Sequence, residues 1–387
     1  MSHFSADPTV PPAAPPAVTS PVISAVISPV ISPVTSPVTW TDPARQQHFM
    51  HWLQTVAPRH GIAADTLAPA SADASFRRYL RVQAPDGARS SLIVMDAPPA
   101  LEDVRPFQRV ALLLAAAGLQ VPQVLEADAD HGFLLLTDLG TRPCLAALRQ
   151  ATPEGADRLM RPVLKALVQL QQRVPAEALP PFDEGLMTRE LALFPEWCVA
   201  REFGLTWTAA QQAVWDRVCR ILIEHMLAQP QVAVHADWMP RNLMLCGEAG
   251  DALTSVGVLD FQDAVRGPIG YDLASLLRDA FLSWDEAQEI DWAVRWWHDA
   301  RRSRLPVPAD FGDFWRDVEW TGLQRHLKVA GIFCRLKHRD DKPAYAEDLP
   351  RFFNYITRVA NRYGPLRPLL GLMAPLSGAR VGVGFTF

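Results

Sequence analysis

His235-Ala236-Asp237-Trp238-Met239-Pro240-Arg241-Asn242 and, a short way on, Val256-Gly257-Val258-Leu259-Asp260-Phe261-Gln262-Asp263 are the stretches that decide how this chain is read. The first follows the apolar Val232-Ala233-Val234 and precedes Leu243-Met244-Leu245, so it reads as a loop held between two strands. An Asp and an Asn four intervening residues apart on one loop can serve a single phosphate: the Asp accepts the proton of an incoming hydroxyl, and the Asn binds Mg²⁺. The second stretch ends a buried apolar strand in a carboxylate, a natural ligand for a hard cation. A turn over Gly247–Asp251 joins the two, which predicts neighbouring strands with Asn242 and Asp260 at one end. Alone, Asp237 or Asp260 would read equally well as a turn or helix cap. The ordered set, strand, HxDxxxxN, strand, turn, strand, Asp, is far more specific.

Outward from this centre, the N-terminal side changes character three times. Residues 1–40 are a Pro/Val/Ser-rich tail in which segments such as Ser28-Pro29-Val30-Ile31 and Ser32-Pro33-Val34-Thr35 repeat every four residues. Such frequent proline removes backbone donors and fixes φ, so a disordered or polyproline-like tail is expected. Order should begin at Asp42-Pro43, an N-cap followed by Pro at the first helical position, with Phe49, Trp52, Leu53 and Val56 at helical spacing. Phe76–Val82 alternates, Pro85-Asp86-Gly87 turns, and Ser91–Met95 follows as an apolar strand, which predicts an antiparallel hairpin. Helical spacing returns over residues 102–117, and Val121–Glu126 and Phe133–Thr137 read as strands. Residues 41–138 therefore read as a small N-terminal lobe, an antiparallel sheet with a helix. Residues 139–365 read as a larger, mainly helical lobe with helices near 155–173, 188–203, 208–228, 285–300, 312–337 and 346–362; residues 366–387 read as a tail. The expected class is α+β with two lobes.

Bulk properties exclude several functions. The chain has 387 residues, 49% of them hydrophobic and 20% charged, with a net charge of −5. A nucleic-acid-binding surface would be basic, so none is expected. Five scattered cysteines with no CxxC pair argue against a disulfide framework or zinc site. No apolar run is long and pure enough for a bilayer, and the N-terminus lacks a basic n-region, so the expectation is a cytoplasmic, monomeric enzyme without a membrane partner.

With these motifs in place, the chain resembles the aminoglycoside phosphotransferase-like kinases, relatives of the protein kinases, over about residues 65–340. Within that group it is most similar to bacterial anomeric sugar kinases for N-acetylmuramate and N-acetylglucosamine of cell-wall recycling. The strings that carry this are Ser71–Tyr79, Val94-Met95-Asp96-Ala97-Pro98-Pro99, Leu259–Ala264 and Gly267–Asp279. The resemblance implies a protein-kinase-like fold, ATP and Mg²⁺ as cofactors, and an amino sugar phosphorylated on its C1 hydroxyl. It implies that Asp237 is the catalytic base, that Asn242 and Asp260 are metal ligands, and that His235 supports the loop. Asp272 matches an acidic residue that braces the loop, and is equally placed to cap the helix beginning near Leu273.

On the nucleotide side, the resemblance places Ser75, Phe76 and Arg77 on a covering hairpin without a GxGxxG; an ordinary polar turn there is the alternative. Arg77 and Arg78 should point to opposite faces, so at most one faces the nucleotide. Leu136, Thr137 and Asp138 would offer backbone groups to the adenine edge. The strand lysine that holds the α/β-phosphates in protein kinases is missing, since the strand reads Ile93-Val94-Met95-Asp96. Arg241 is a candidate replacement or, equally, a loop brace, and Glu102 and Asp103 are the nearest candidates for the helix acid. Arg201, Arg278, Arg325, His326, Lys328, Arg335 and Lys337 would suit an anionic acceptor, although most such charges coat solvated helix faces. Rival readings are a kinase of the same fold acting on an aminoglycoside, choline or homoserine, and a nucleotide-binding pseudokinase, motivated by the missing lysine.

Overall fold

A computed structural model describes residues 38–71, 76–85, 87, 89–247 and 255–376. The proposed tail, up to residue 37, and Ser75 lie outside them. The N-terminal lobe opens with α1 (Pro43–His60). Asp42 caps it by accepting from the N–H groups of Ala44 and Arg45, and Gly61, at φ +62°, closes it in the left-handed region. A five-stranded sheet follows, built from β1 (Ala63–Ser71), β2 (Arg78–Gln83), β3 (Ser91–Asp96), β4 (Val124–Asp128) and β5 (Phe133–Thr137), with α2 (Arg105–Ala116) inserted before β4. The order is β1-β2-β3-β5-β4 and every pairing is antiparallel. The expected hairpin is there, with Arg78 opposite Asp96 and Gln83 opposite Ser91. Sequence reading did not find β1. It is an edge strand with irregular register and a proline, so it lacks the alternation of an inner strand.

Alternation decides which face each helix covers. Leu80, Val82, Leu92, Val94, Phe133 and Leu135 pack with Phe49, Leu53 and Val56 of α1. Met95, Leu134 and Leu136 join Phe107, Val110 and Leu114 of α2 in the main core. At the end of β3 the fully buried Asp96 accepts from Nε of Arg45 on α1 (2.8 Å) and Nε of Arg78 on β2 (2.9 Å). A buried carboxylate without such partners would be costly, so this junction fixes α1 to the sheet.

The second lobe contains α3 (Cys144–Arg149), α4 (Pro153–Arg173), α5 (Glu184–Leu193), α6 (Ala209–Ala228), β6 (Gln231–Val234), β7 (Leu243–Cys246), β8 (Ser255–Val258), β9 (Val265–Pro268), α7 (Tyr271–Leu277), α8 (Glu286–Arg302), α9 (Phe311–Arg339), α10 (Leu349–Arg362) and α11 (Leu369–Met373). The strands expected as one island form two ribbons: β7 pairs with β8 as anticipated, whereas β6 pairs with β9. The four-residue β9, Val265-Arg266-Gly267-Pro268, carries too little apolar pattern to be seen in sequence. The helix expected over 188–203 is also divided. Pro195 has no N–H to give Leu191, and residues Phe194–Glu202 wind as a π-helix. The α9 helix is buried around most of its circumference from Phe314 to Leu336 and serves as the axis of the lobe. Leu366, Leu369, Leu372, Met373 and Leu376 are buried, so the packed chain runs through residue 376. The five cysteines are free thiols, and no described helix is long and apolar enough to cross a membrane.

Candidate active site

The loop between β6 and β7 is held in place almost atom by atom. Asp272, in the first turn of α7 and fully buried, accepts from the N–H of His235 (2.7 Å) and of Ala236 (3.1 Å). It is therefore the loop brace, while the N-cap position of α7 falls on Gly270. The Asp237 N–H donates to Nδ1 of His235 (3.2 Å), and Nε2 of His235 faces the Leu259 carbonyl at 2.9 Å. With Nδ1 an acceptor, the proton sits on Nε2 and the ring is neutral. Burial agrees, pushing the His235 pKa down to about 4 against the opposing pull of Asp260. The Asp237 carbonyl accepts from Met239 N–H (2.8 Å) and from Asn242 Nδ2 (3.0 Å). Leu259 N–H donates to the Asn242 carbonyl (2.9 Å), tying the ends of β7 and β8 together. Ala236 (φ +74°) and Asp260 (φ +60°) both sit in the left-handed region, which is costly for residues with a Cβ and is held here by these bonds.

The three polar residues converge. Asn242 Nδ2 lies 3.5 Å from Asp260 Oδ2, and Gln262 Nε2 donates to Asp260 Oδ1 (2.9 Å). Burial drives the Asp237 carboxyl well above the usual range, opposed by Lys328 and Arg325 of α9. Arg325 Nη2 lies 3.7 Å from Asp237 Oδ1 and 3.0 Å from Met239 Sδ. Lys328 Nζ is 2.6 Å from Glu190 Oε1 on α5 and 3.4 Å from the Tyr271 hydroxyl, and Gln324 Nε2 donates to Glu190 Oε2 (3.0 Å). An Asp with a raised pKa flanked by fixed cations can take a proton in place and hold the charge that develops around it.

Above this loop, between the lobes, lies a cleft lined from both sides. Tyr79, Arg81 and Ile93 come from the sheet, Phe107 from α2, Leu136–Gly140 from the connection, and Arg241, Asn242, Leu259 and Asp260 from below. The Phe107 ring also packs on Phe261 (4.7 Å), coupling α2 to the segment after Asp260.

Comparison with known proteins agrees with this geometry. Residues 66–311 match the phosphotransferase enzyme family, APH. The chain belongs to this family. It is an enzyme that transfers a phosphoryl group to a hydroxyl acceptor. It is 46% identical over 345 residues to a protein of Neisseria meningitidis serogroup B named N-acetylmuramate/N-acetylglucosamine kinase, covering 89% of this chain and 99% of that one. A Pseudomonas putida protein of the same name is 48% identical over 321 residues, covering 82% and 91%. Among solved structures, Plasmodium vivax ethanolamine kinase superposes with a TM-score of 0.60 at 11% identity, covering 85% of this chain and 94% of that one. The GDP complex of wild-type aminoglycoside 2'-phosphotransferase-IIIa gives 0.57 at 14%, covering 82% and 99%. At these identities the structural likeness establishes the protein-kinase-like APH fold.

Asp138 lines the cleft, and its carboxylate accepts from Arg81 Nε (2.6 Å) and the Ser91 hydroxyl (2.8 Å). Burial alone would raise this carboxyl; Arg81, the Gly140 N–H and Ser91 hold it below the ordinary range. Leu136 lines the cleft too. Thr137 lines the cleft as well; its N–H goes to the Gln123 carbonyl (3.0 Å) and its Oγ1 accepts from Gln123 N–H (2.9 Å), fixing β5 to the approach of β4. Phe76 is exposed, Arg77 is buried, and Arg78 is turned outward onto Asp96 and the Trp40 ring. Arg241 lines the cleft while its guanidinium lies 4.6 Å from the Phe281 ring centre.

The donor set suits Mg²⁺. Asp260 and Asn242 present hard oxygen-bearing groups on the cleft wall, and among the described residues no cluster of three or more His, Cys, Asp or Glu side chains is placed to hold a metal by itself. Mg²⁺ at phosphate sites commonly takes only one or two protein ligands and fills its remaining positions with phosphate oxygens and water.

Sequence reasoning missed Gln262, Asp263 and Glu190 as parts of the site. The Asp263 carboxyl, buried, is pushed up to about 6 despite Arg77 nearby. Gln262 and Asp263 stand in the same string as Asp260, but only the fold shows Gln262 Nε2 reaching both carboxylates. Glu190 had no local signal at all, since α9 brings its partners from more than a hundred residues away.

Proposed function

We propose that this enzyme uses ATP to phosphorylate the anomeric C1 hydroxyl of N-acetylmuramate and N-acetylglucosamine, giving the sugar 1-phosphate for peptidoglycan recycling. The observation that carries this reading is near-full-length identity of 46–48% to three bacterial proteins named for those two sugars. The loop geometry supports the chemistry. Asp237 orients the C1 hydroxyl and accepts its proton, and Arg325 and Lys328 stabilise the charge around it. Asn242 and Asp260 would hold Mg²⁺, which when bound neutralises phosphate charge. His235 and Asp272 keep Asp237 in register, so the barrier is lowered chiefly by positioning and electrostatics.

The lobe formed by residues 41–138 binds the nucleotide, with Leu136, Thr137 and Asp138 at the base end of the cleft and Ser75, Phe76 and Arg77 toward the phosphates. Residues 139–365 carry the catalytic loop, Arg241 among them, and the acceptor site. The protein acts as a cytoplasmic monomer on a small molecule. The intact Asp237, Asn242 and Asp260 constellation favours an active kinase over a nucleotide-binding pseudokinase.

A coupled ADP-release assay over N-acetylmuramate, N-acetylglucosamine, kanamycin, choline and homoserine tests the acceptor. Turnover is expected with the two amino sugars, and the product should resist borohydride reduction because its anomeric carbon is blocked. Turnover confined to kanamycin, choline or homoserine, or a product that borohydride still reduces, contradicts the assignment.

A further inference from the structure

The strand that supplies a phosphate-holding lysine in protein kinases supplies no cation to this cleft. Ile93 lines it, paired across the sheet with Arg81 on one side and Leu136 on the other, while Asp96 at the strand end is consumed by Arg45 and Arg78. Arg81, the other cation on the sheet wall, is committed to Asp138 and the Gly140 carbonyl at the base end. Arg241 belongs to the lower lobe, set against Phe281 and within the influence of Asp279. A triphosphate bound over Asp260 would therefore need a cation from elsewhere in the upper lobe.

Arg77 is in that place. It precedes β2 by one residue and is only 5% exposed, and its Nη2 lies 3.8 Å from Asp260 Oδ1. That separation is too long for a hydrogen bond but short for two charges, so the head group stands directly over the proposed metal carboxylate. Burial would lower its pKa, yet the phenol of Tyr79 and the carboxylates of Asp260, Glu102 and Asp263 drive it above its ordinary value, so it stays charged. Glu102 lies just before α2, in the part of the lobe where a kinase helix supplies the acid that pairs with the strand lysine. The neighbouring Arg78 faces the opposite way, as strand alternation requires.

We infer that Arg77 holds the nucleotide phosphates in place of the absent strand lysine, with Glu102 as its carboxylate partner on the helix side. A planar guanidinium can bind two phosphate oxygens at once, which a lysine at the same point cannot. The post has moved from the third strand to the start of the second, which is why the strand could lose its lysine without losing the clamp. This inference rests on the phosphotransferase reading but not on the identity of the sugar.

The test is equilibrium binding of adenosine, ADP and ATP, with Mg²⁺ and without any acceptor, by titration calorimetry. Arg77→Gln should weaken ADP and ATP by about tenfold or more and leave adenosine within about twofold. Arg77→Lys should recover part of the ADP affinity, and Glu102→Gln should weaken ADP in the same direction by a smaller factor. Arg241→Gln serves as the comparison and should change ADP affinity less than Arg77→Gln does. Unchanged adenosine binding certifies the fold of each variant. Should Arg77→Gln fail to fold, Arg77→Lys decides alone: loss of ADP affinity with adenosine retained upholds the clamp. Equal losses for adenosine and ADP, or no loss for either, overturn it. Because no sugar is present, failure to phosphorylate amino sugars leaves this result untouched.

Discussion

His235 shows how much of the site is set by single atoms. Its ring works as a neutral spacer: Nδ1 receives the Asp237 N–H and Nε2 donates to Leu259. Protonating Nδ1 would replace that acceptor with a donor and break the link to Asp237. The pKa of His235 falls from 6.5 to about 4 on burial, so between these values the unfolded chain binds the proton and the native chain does not. Stability is thus fully present above about pH 6.5 and is lost as pH falls toward 4. Denaturant unfolding of the wild type and of His235→Gln should show a stability difference that shrinks by roughly 3 kcal/mol between pH 7 and 4. A difference that does not vary with pH contradicts the neutral, buried ring. Asp237, Asn242 and Asp260 were legible in the sequence because their chemistry forces a fixed order and spacing on one loop and one strand. Arg77 was legible only as half of an alternating pair, since choosing between Arg77 and Arg78 needs the register against β3, which local sequence does not contain.

Among elements, α9 sets the positions of Arg325 and Lys328, and the seat of α9 depends on Gly331. A Cβ added there would stand 2.5 Å from the carbonyl carbon of Leu193 and 2.6 Å from its oxygen, backbone atoms that cannot swing aside. Leu193 ends α5, which carries Glu190, so this contact fixes the spacing over which Lys328 reaches Glu190. Gly331→Ala pits two effects against each other. Helix propensity favours Ala by about 1 kcal/mol, whereas overpacking against backbone costs about 1–3 kcal/mol. Packing should win, lowering urea-unfolding stability by about 1 kcal/mol or more; a stabilised variant would show that the helices part freely. Strong periodicity made the long helices and the β2–β3 hairpin readable. The π-helix after Leu193, edge strand β1 and the short β9 were not: Phe194–Glu202 continues a helical pattern across Pro195, β1 has an irregular register and a proline, and β9 is defined by its distant partner β6.

At the scale of the molecule, the two lobes share the main apolar core, and particular polar contacts fix how they meet. Gln120 bridges to Gly257 on β8, its carbonyl accepting from Val258 N–H at 2.8 Å, and Arg81 clasps Asp138 and Gly140 where the chain crosses between lobes. The class and the two-lobed order were readable because a sheet-rich segment precedes a helical one. The relative placement of the lobes was not, since it depends on long-range bonds and on the shared core in which Phe107 meets Phe261. All of them seat the upper lobe over the loop that carries Asp237 and Asn242. The most direct measurement is therefore on Asp237→Asn, which keeps the volume and the backbone bonds of the loop while removing the proton acceptor. Turnover with N-acetylmuramate should fall by about a thousandfold or more while ATP affinity, measured without acceptor, stays within about threefold. A variant that retains near-wild-type turnover would contradict the assignment of Asp237 as the base.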